Sequence, residues 1–455
     1  KASQYPDYEN ATIEISGGSF SDVKADDYLE QTYTLNLSKG LYNVVKNRVY
    51  VGGKEYDTLQ TAIEAATDGQ TITFYNNVKT AAFEIPKEKN VVFAMNGKTV
   101  TVKGNKTGGG IIVNGNLTIT GYRGLFGDPT GESVGYLFNI NDGASVTIDT
   151  DNYVTFQCGL SCAQMQGNTA KLIINGGKWI GGEYNGKFWT LNKIDAYKES
   201  QIIIKGGKFY KFNPAESHTE DPAENWLADG YTAVQNGDWY EVITTIENNT
   251  RLIESALSTA NSTAVINENV EVSCVSAAKN STLQLENGAT ITGYGQVSGL
   301  ARDVIMTSKG LDIKGKGKIV SKYANDTEKS QSTAIRVSGG TVNIYDGIEV
   351  DGGSGCHGNY AIRMLAGTVN ILGGYFHSSP INDAESSEVI YLQPRSNTTV
   401  INLNIEGGVF ESSGDASYLI NCLDAYIKNC HIKITGGIFV GFDPSNSVAD
   451  KINGK

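Results

Sequence analysis

Apolar and polar residues alternate along many short stretches of this chain, and several stretches end in two glycines followed closely by an aromatic residue. Between Val400 and Ile405, for example, apolar side chains occupy every second position. A period of two places alternate side chains on opposite faces of a β-strand. Glycine adopts positive φ without steric cost, so the Gly-Gly pair predicts a turn. The phrase Gly-Gly-x-aromatic follows such an alternating stretch six times, starting at Gly17, Gly176, Gly206, Gly373, Gly407 and Gly436.

The spacing of this phrase predicts the fold. Successive copies starting at Gly373, Gly407 and Gly436 are 34 and 29 residues apart. A near-constant spacing indicates stacked repeats, and many short strands with Gly and Asn turns favour a β-helix. We therefore predict an all-β protein, a right-handed parallel β-helix solenoid whose coils lie about 4.8 Å apart.

Two short helical patterns divide the predicted coils into two tandem units. Asp57 is a predicted N-cap for the first helix. The apolar faces of the two helices carry Leu59, Ala62, Ile63 and Ala66, and then Leu252, Ile253, Ala256 and Leu257. Such a helix can cover the open end of a solenoid. A hairpin-like segment with a turn at Asn236-Gly237 follows the first set of coils.

These signals predict three regions. Residues 1–48 are predicted to be the hairpin-like tail end of a preceding unit. Residues 49–242 are predicted to form a first full unit with its terminal hairpin, and residues 243–455 a second unit. Because the chain begins with Lys1 rather than Met, we expect either a processed chain or a piece of a longer one.

Composition narrows the classes of function. The formal net charge is −12 and the pI is about 5.0, which argues against nucleic-acid binding, because that requires clustered Lys and Arg. No run of about 20 apolar residues predicts a membrane span. The six cysteines have no zinc-finger spacing, so we expect buried thiols, no metal and no cofactor.

One pair of acids is a candidate catalytic site. Glu349 and Asp351 flank Val350, so their side chains are predicted to project outward about 7 Å apart. That separation suits paired carboxylates in sugar hydrolysis. His357, in the following Gly-rich loop, is the candidate general base. The alternative is a solvated strand face followed by a loop with an exposed histidine.

Aromatic residues give a second candidate site. Tyr184 and Trp189 fall in a loop of the first unit, with glycines around them. Exposed aromatic rings can bury the apolar face of a pyranose, so these two residues are candidate ligand-binding residues. Trp179 belongs to a Gly-Gly-x-aromatic phrase, and we expect it to stack inside the solenoid.

The residues also resemble a known superfamily. The cap-helix start from Leu59 to Thr73, the Gly-Gly-x-Phe endings and the tail from Phe212 to Tyr231 resemble repetitive β-helix proteins of the pectin-lyase-like superfamily. Such proteins occur on the surfaces of gut bacteria and in the virions of their phages, as tail or head fibres or decoration proteins. The resemblance covers nearly the whole chain. The acid, arginine and histidine sets of the superfamily's catalytic members have no match in this sequence.

The resemblance implies an extracellular, cell-surface or virion location. The function we expect is that of a non-catalytic, elongated structural protein that contacts surface glycans or other surface or virion proteins. One alternative is a polysaccharide lyase, hydrolase or phage depolymerase that uses Glu349, Asp351 and His357. Another is a purely structural assembly component, for example a homotrimer.

Overall fold

The structure is a computed structural model that describes residues 13–22, 28–29, 32–104, 109–294, 301–324, 330–381, 387–413 and 418–445. The chain divides into two compact units, Lys1–Thr244 and Thr245–Lys455. The protein is a parallel β-solenoid of about 12 turns, which confirms the predicted fold class. The finer predicted boundaries at residues 48 and 242 stay predictions.

The first unit contains strands β1 to β26 and helix α1 (Leu59–Ala65). In chain order its strands are β1 Ser19–Phe20, β2 Tyr33–Ser38, β3 Leu41–Lys46, β4 Val49–Val51, β5 Lys54–Tyr56, β6 Gln70–Phe74, β7 Val78–Ala81, β8 Phe83–Ile85, β9 Asn90–Ala94, β10 Thr99–Lys103, β11 Gly109–Val113, β12 Asn116–Gly121, β13 Gly124–Gly127, β14 Tyr136–Asn141, β15 Ser145–Thr150, β16 Val154–Gln157, β17 Ser161–Gln166, β18 Lys171–Ile174, β19 Lys178–Ile180, β20 Glu183–Tyr184, β21 Lys187–Phe188, β22 Leu191–Lys193, β23 Gln201–Ile204, β24 Gly207–Tyr210, β25 Tyr231–Asn236 and β26 Trp239–Thr244.

Three parallel ladders form the walls of this unit, in the orders β7-β10-β13-β16-β19-β24, β8-β11-β14-β17-β22 and β6-β9-β12-β15-β18-β23. Antiparallel strands cover the ends of two ladders. The hairpin β25–β26 pairs with β24, and β4 pairs with β5 and β6. A short 3₁₀ helix, Asp195–Tyr197, precedes the last coil.

The second unit contains helix α2 (Thr245–Ala256), the 3₁₀ helix Asp424–Asn429 and strands β27 to β42. In chain order its strands are β27 Thr263–Ile266, β28 Val270–Val272, β29 Val275–Ala277, β30 Ser281–Gly293, β31 Ala301–Thr307, β32 Leu311–Ser321, β33 Gln331–Ile344, β34 Ile348–Asp351, β35 Gly358–Ile371, β36 Tyr375–Ser378, β37 Glu388–Leu392, β38 Ile401–Ile405, β39 Val409–Ser412, β40 Tyr418–Cys422, β41 Cys430–Ile434 and β42 Ile438–Phe439. All their pairings are parallel, and several strands run continuously from one wall into the next.

The two glycines of the Gly-Gly-x-aromatic phrase have different structural roles. The second glycine of all six copies has positive φ, from 88° to 113°. In five of the six copies the first glycine packs against the coil before it: a Cβ on Gly206 would lie 2.3 Å from the Asn175 carbonyl oxygen, and one on Gly436 would lie 2.2 Å from that of Glu406. The second glycine therefore makes the turn, and the first permits close stacking of coils.

Helix α1 corrects one detail of the sequence analysis. The N-cap is Thr58, whose side chain accepts a hydrogen bond from the Thr61 amide, rather than Asp57. Leu59, Ala62 and Ile63 are buried as predicted.

Helix α2 covers the start of the second unit with Ile253, which is buried. Leu252, which was predicted on the same apolar face, is 61% exposed. The buried side of this segment follows Ile253 and Leu257, which are four positions apart and lie on one face, and this row leaves Leu252 outside it.

Inward side chains stack from coil to coil. In the first unit, an aromatic ladder passes through fully buried Phe126, Phe156, Trp179 and Phe209. Trp179 lies 4.5 Å from Phe156 between ring centroids, and its Nε1 donates to the Gly176 carbonyl. Trp179 therefore fills the core.

Among the described residues, no helix is long and apolar enough to span a membrane. The same residues contain no cluster of three or more His, Cys, Asp or Glu suited to a metal ion. The cysteines are free thiols, and Cys158 and Cys162 are buried with their sulfurs 3.4 Å apart.

Candidate functional site

A two-stranded hairpin interrupts the first unit between β19 and β22 and carries the predicted ligand-binding residues. Asn185 and Gly186, both with positive φ, turn the chain between β20 and β21, as expected for a tight hairpin. Trp189 donates its indole N–H to the Tyr184 carbonyl at 3.3 Å, and the two rings meet edge to face with centroids 5.9 Å apart. Tyr184 remains 55% exposed.

The hairpin also positions Phe188, the aromatic residue next to Trp189 in the sequence. Tyr184 pairs with Lys187, and Glu183 pairs with Phe188, so Phe188 and Tyr184 lie on opposite faces. The Phe188 ring contacts Tyr210 of β24, with centroids 5.3 Å apart. Tyr210 in turn contacts Trp239 of β26, with centroids 5.1 Å apart.

Two lysines lie over these three rings. The Lys178 ammonium lies 4.5 Å from the Trp239 centroid. The Lys211 ammonium lies 5.4 Å from Phe188 and 5.3 Å from Tyr210. These are cation–π distances. We call Lys178, Phe188, Tyr210, Lys211 and Trp239 the aromatic–lysine surface.

This surface lies in a locally basic part of an acidic protein. Residues 171–211 include eight lysines and three acidic residues, whereas the whole chain has a net charge of −12. Carboxylates reduce the free charge nearby, since Lys208 pairs with Glu241 at 3.3 Å and Lys211 lies 4.0 Å from Asp238. Lys178 lies over the Trp239 ring and is half-buried. The pairing of Tyr210 with Trp239 across β24 and β26 assembles the surface; the lysines beside aromatic residues in the sequence were its only signal.

The carboxylates predicted as a catalytic pair do project from β34, but they are held in ionic contacts. Lys318 of the preceding coil lies 2.8 Å from Glu349. The His377 imidazole of the following coil approaches both acids, with Nε2 3.2 Å from Glu349 and Nδ1 3.5 Å from Asp351. His357, the predicted general base, instead has its backbone N–H donating to the Ser330 hydroxyl at 3.1 Å.

The electrostatics of this group do not favour a general acid. Partial burial raises the pKa of Glu349, but hydrogen bonds from Lys318 and His377 outweigh it and lower the pKa below its ordinary value. A glycosidase general acid requires a raised pKa. Nearby, Tyr375 donates to the Glu411 carboxylate at 2.7 Å, which raises the pKa of Tyr375 to about 12. This arrangement is that of an ionic network on a strand face.

Another wall of the second unit carries a buried acid that the sequence analysis missed. Glu388 of β37 is 9% exposed, and burial raises its pKa to about 7. Asn421 of the next coil donates to it at 3.2 Å. In the coil before, Arg363 donates to Gln393 at 3.0 Å and lies over the Tyr360 ring. No period-two pattern identifies Glu388, because its environment comes from residues about 30 positions away in either direction.

Comparison with known proteins adds little to this geometry. Neither the protein-family models nor the curated proteins gave a match. One solved structure, described as the PL6 family alginate lyase AlyGC, matches with 10% sequence identity over 80% of this chain and 70% of that chain, at a TM-score of 0.14. A similarity this low carries no argument about activity.

Proposed function

We propose that this protein is a non-catalytic β-solenoid scaffold of a cell surface or virion, and that its aromatic–lysine surface binds an acidic glycan. The observation that carries the proposal is the arrangement of Lys178 and Lys211 over the rings of Phe188, Tyr210 and Trp239. A uronate sugar offers an apolar ring face for aromatic stacking and a carboxylate for an ammonium group. Both binding partners are present on this surface.

The ionic contacts and the lowered pKa of Glu349 support the non-catalytic part of the proposal. A carboxylate already paired with Lys318 and His377, with a lowered pKa, is not equipped to protonate a leaving group. The polysaccharide hydrolase alternative would require this network to rearrange when substrate binds.

The proposal is tested by titrating the protein with polygalacturonate and with neutral dextran, and measuring binding by calorimetry. We expect polygalacturonate to bind and dextran to bind at least about tenfold more weakly, a difference of about 1.4 kcal/mol. Binding should weaken as salt rises, because part of the attraction is between exposed charges.

Two variants locate the site. Trp239→Ala removes one ring, and the double change Lys178→Glu, Lys211→Glu reverses the charge while leaving the rings in place. Each should weaken polygalacturonate binding about tenfold or more. Tyr153→Ala is the matched control, because Tyr153 is a 73% exposed aromatic residue outside this surface. Equal binding by all variants, or no binding of polygalacturonate, would reject the proposal.

A further inference from the structure

Two adjacent coils of the second unit place an arginine, an acid and two tyrosines side by side on one wall. Strand β35 contributes Tyr360 and Arg363, and strand β37 places Glu388 beside Tyr360 and Tyr391 beside Arg363. The two tyrosine rings stack with their centroids 5.3 Å apart. We call these four residues the arginine–glutamate block. The stacked tyrosines lie at two opposite corners of the block, and the arginine and the acid lie at the other two.

Arg363 carries a charge that no ion pair neutralises among the described residues. Its guanidinium group donates to the Gln393 amide oxygen at 3.0 Å and lies 5.7 Å from the Tyr360 ring centroid, so both of these partners are neutral. In the coil before, its register partner Arg336 pairs with Asp303 at 2.9 Å. A guanidinium group has five N–H donors, so Arg363 retains donors for an anionic group.

Glu388 also has hydrogen-bonding capacity that the described residues do not use. The residue is 9% exposed, and Asn421 of the next coil donates to one carboxyl oxygen at 3.2 Å. No described residue donates to the other oxygen. Burial raises the pKa of Glu388 to about 7, although Asn421 and Arg363 both act to lower it. Because an unpaired buried polar atom costs free energy, a ligand group that bonds to this oxygen is favoured.

The corresponding positions of the first unit carry no charge. There, strands β14 and β17 place Tyr136 beside Ser161 and Asn139 beside Gln164. These residues stand in the same relation to the inward residue of each strand as the members of the arginine–glutamate block do in the second unit. The coils therefore stack without an arginine or an acid at these positions, which favours a binding role for the two charged residues over a structural one.

A sugar that carries a carboxylate has a group for each part of the block. Its carboxylate can accept two parallel N–H bonds from Arg363. The apolar face of its ring can pack on Tyr391, which is half-buried. One of its hydroxyls can bond to Glu388. Phosphate or a simple carboxylate would use Arg363 alone, and a neutral sugar would leave the guanidinium group without an anion.

We propose that the arginine–glutamate block binds one residue of a carboxylate-bearing glycan, with the sugar carboxylate on Arg363, the sugar ring on Tyr391 and a hydroxyl on Glu388. The aromatic–lysine surface belongs to the first unit, so this site does not rest on binding there. Because the block contacts a single sugar, we expect a dissociation constant of about 1 mM, weaker than that of the aromatic–lysine surface.

The test uses the full chain with Lys178→Glu and Lys211→Glu, so that the aromatic–lysine surface does not contribute. Calorimetry measures the binding of trigalacturonate and of its methyl ester, which keeps the rings and removes the charges. We expect trigalacturonate to bind, and the ester to bind at least about tenfold more weakly. Arg363→Gln should weaken trigalacturonate binding about tenfold or more. Lys314→Gln is the matched control, because it removes one positive charge from an exposed position on another wall of the same unit.

Glu388 gives the expected binding a dependence on pH. The groups that face it are Tyr360, Arg363, Tyr391, Tyr418 and Asn421. Burial raises the pKa of each of the three tyrosines, so among these groups and Glu388 only the acid titrates near neutral pH. Trigalacturonate binding should therefore weaken about threefold or more between about pH 5.5 and 8, because ionised Glu388 repels the sugar carboxylate. Glu388→Gln is uncharged at every pH and should remove this dependence.

The outcomes separate this site from the aromatic–lysine surface. If the two lysine changes leave binding unaltered and Arg363→Gln abolishes it, the acidic sugar binds in the second unit alone, which supports this site and rejects the other. Absence of trigalacturonate binding would overturn the present proposal, and so would equal binding by Arg363→Gln. Should Arg363→Gln lower the unfolding temperature, Glu388→Gln decides: the same dependence on pH with and without this change would also overturn the proposal.

Discussion

The two units bury similar residues and differ in what they expose. Corresponding walls carry the fully buried pairs Ile111 and Phe138 in the first unit and Ile335 and Ile362 in the second. The outward residues one position further along are Ile112 and Asn139 in the first unit but Arg336 and Arg363 in the second. Stacking constrains the inward positions, whereas the outward positions are free to acquire charge and function.

The same walls also differ at a mostly buried row of positions, and this difference has electrostatic consequences. Two positions before the buried residues, the first unit has Gly109, Tyr136 and Ser161 and no carboxylate. The second unit has Asp303 and Glu388 in this row. Arg336 pairs with Asp303 at 2.9 Å, whereas burial raises the pKa of Glu388 to about 7 despite the hydrogen bond from Asn421. The second unit therefore contains a buried acid that titrates near neutral pH, at a position where the first unit has Ser161.

The largest expected effect on stability comes from removing a buried aromatic side chain. Trp179→Ala should lower the free energy of unfolding of the first unit by about 3 to 5 kcal/mol, because a fully buried aromatic side chain is replaced by a cavity. Urea unfolding monitored by circular dichroism measures this loss. Tyr153→Ala, at an exposed position, should change stability by less than about 0.5 kcal/mol. Equal effects of the two changes would show that the aromatic ladder is not what stabilises the coils.

This contrast also explains what the sequence could and could not predict. Alternation and the Gly-Gly phrases predicted the solenoid and the burial of Trp179, because both depend on residues close in sequence. The outward clusters depend on which residues of successive coils meet, and coil length varies. Asp351 of β34 lies beside His377 of β36 because the two residues are register partners in adjacent coils, although 26 positions separate them in the sequence. His357, although nearer in sequence, is carried into the following loop.

An intermediate effect is expected from the buried acid of the second unit. The pKa of Glu388 is about 7 in the folded state and its ordinary value is 4.5. Between pH 4.5 and 7, the folded state therefore keeps a proton on Glu388 that the unfolded state has released. Stability should therefore fall as pH rises from about 4.5 to 7, by as much as about 3 kcal/mol. Glu388→Gln, which keeps an acceptor for Asn421, should remove this pH dependence.

Urea unfolding at a series of pH values between about 4.5 and 8 checks this prediction. Glu406→Gln is the control, because Glu406 is an exposed carboxylate of the same unit. A pH dependence that persists in Glu388→Gln, or one that disappears equally in Glu406→Gln, would assign the titration to another group.

The smallest effect is expected where charge lies on an outward face that solvent reaches. Glu349→Gln removes the ion pair with Lys318, but the two side chains are 27% and 49% exposed, so the stability cost should stay below about 1 kcal/mol.

Because the pKa of Glu349 is lowered by Lys318 and His377, we also expect neither the unmodified chain nor Glu349→Gln to shorten polygalacturonate, as measured by size-exclusion chromatography of the polymer. Shortening by the unmodified chain that stops with Glu349→Gln would instead make Glu349 catalytic. In that case the outward face of the second unit would have acquired an activity, and the difference between the two units would be one of chemistry as well as of charge.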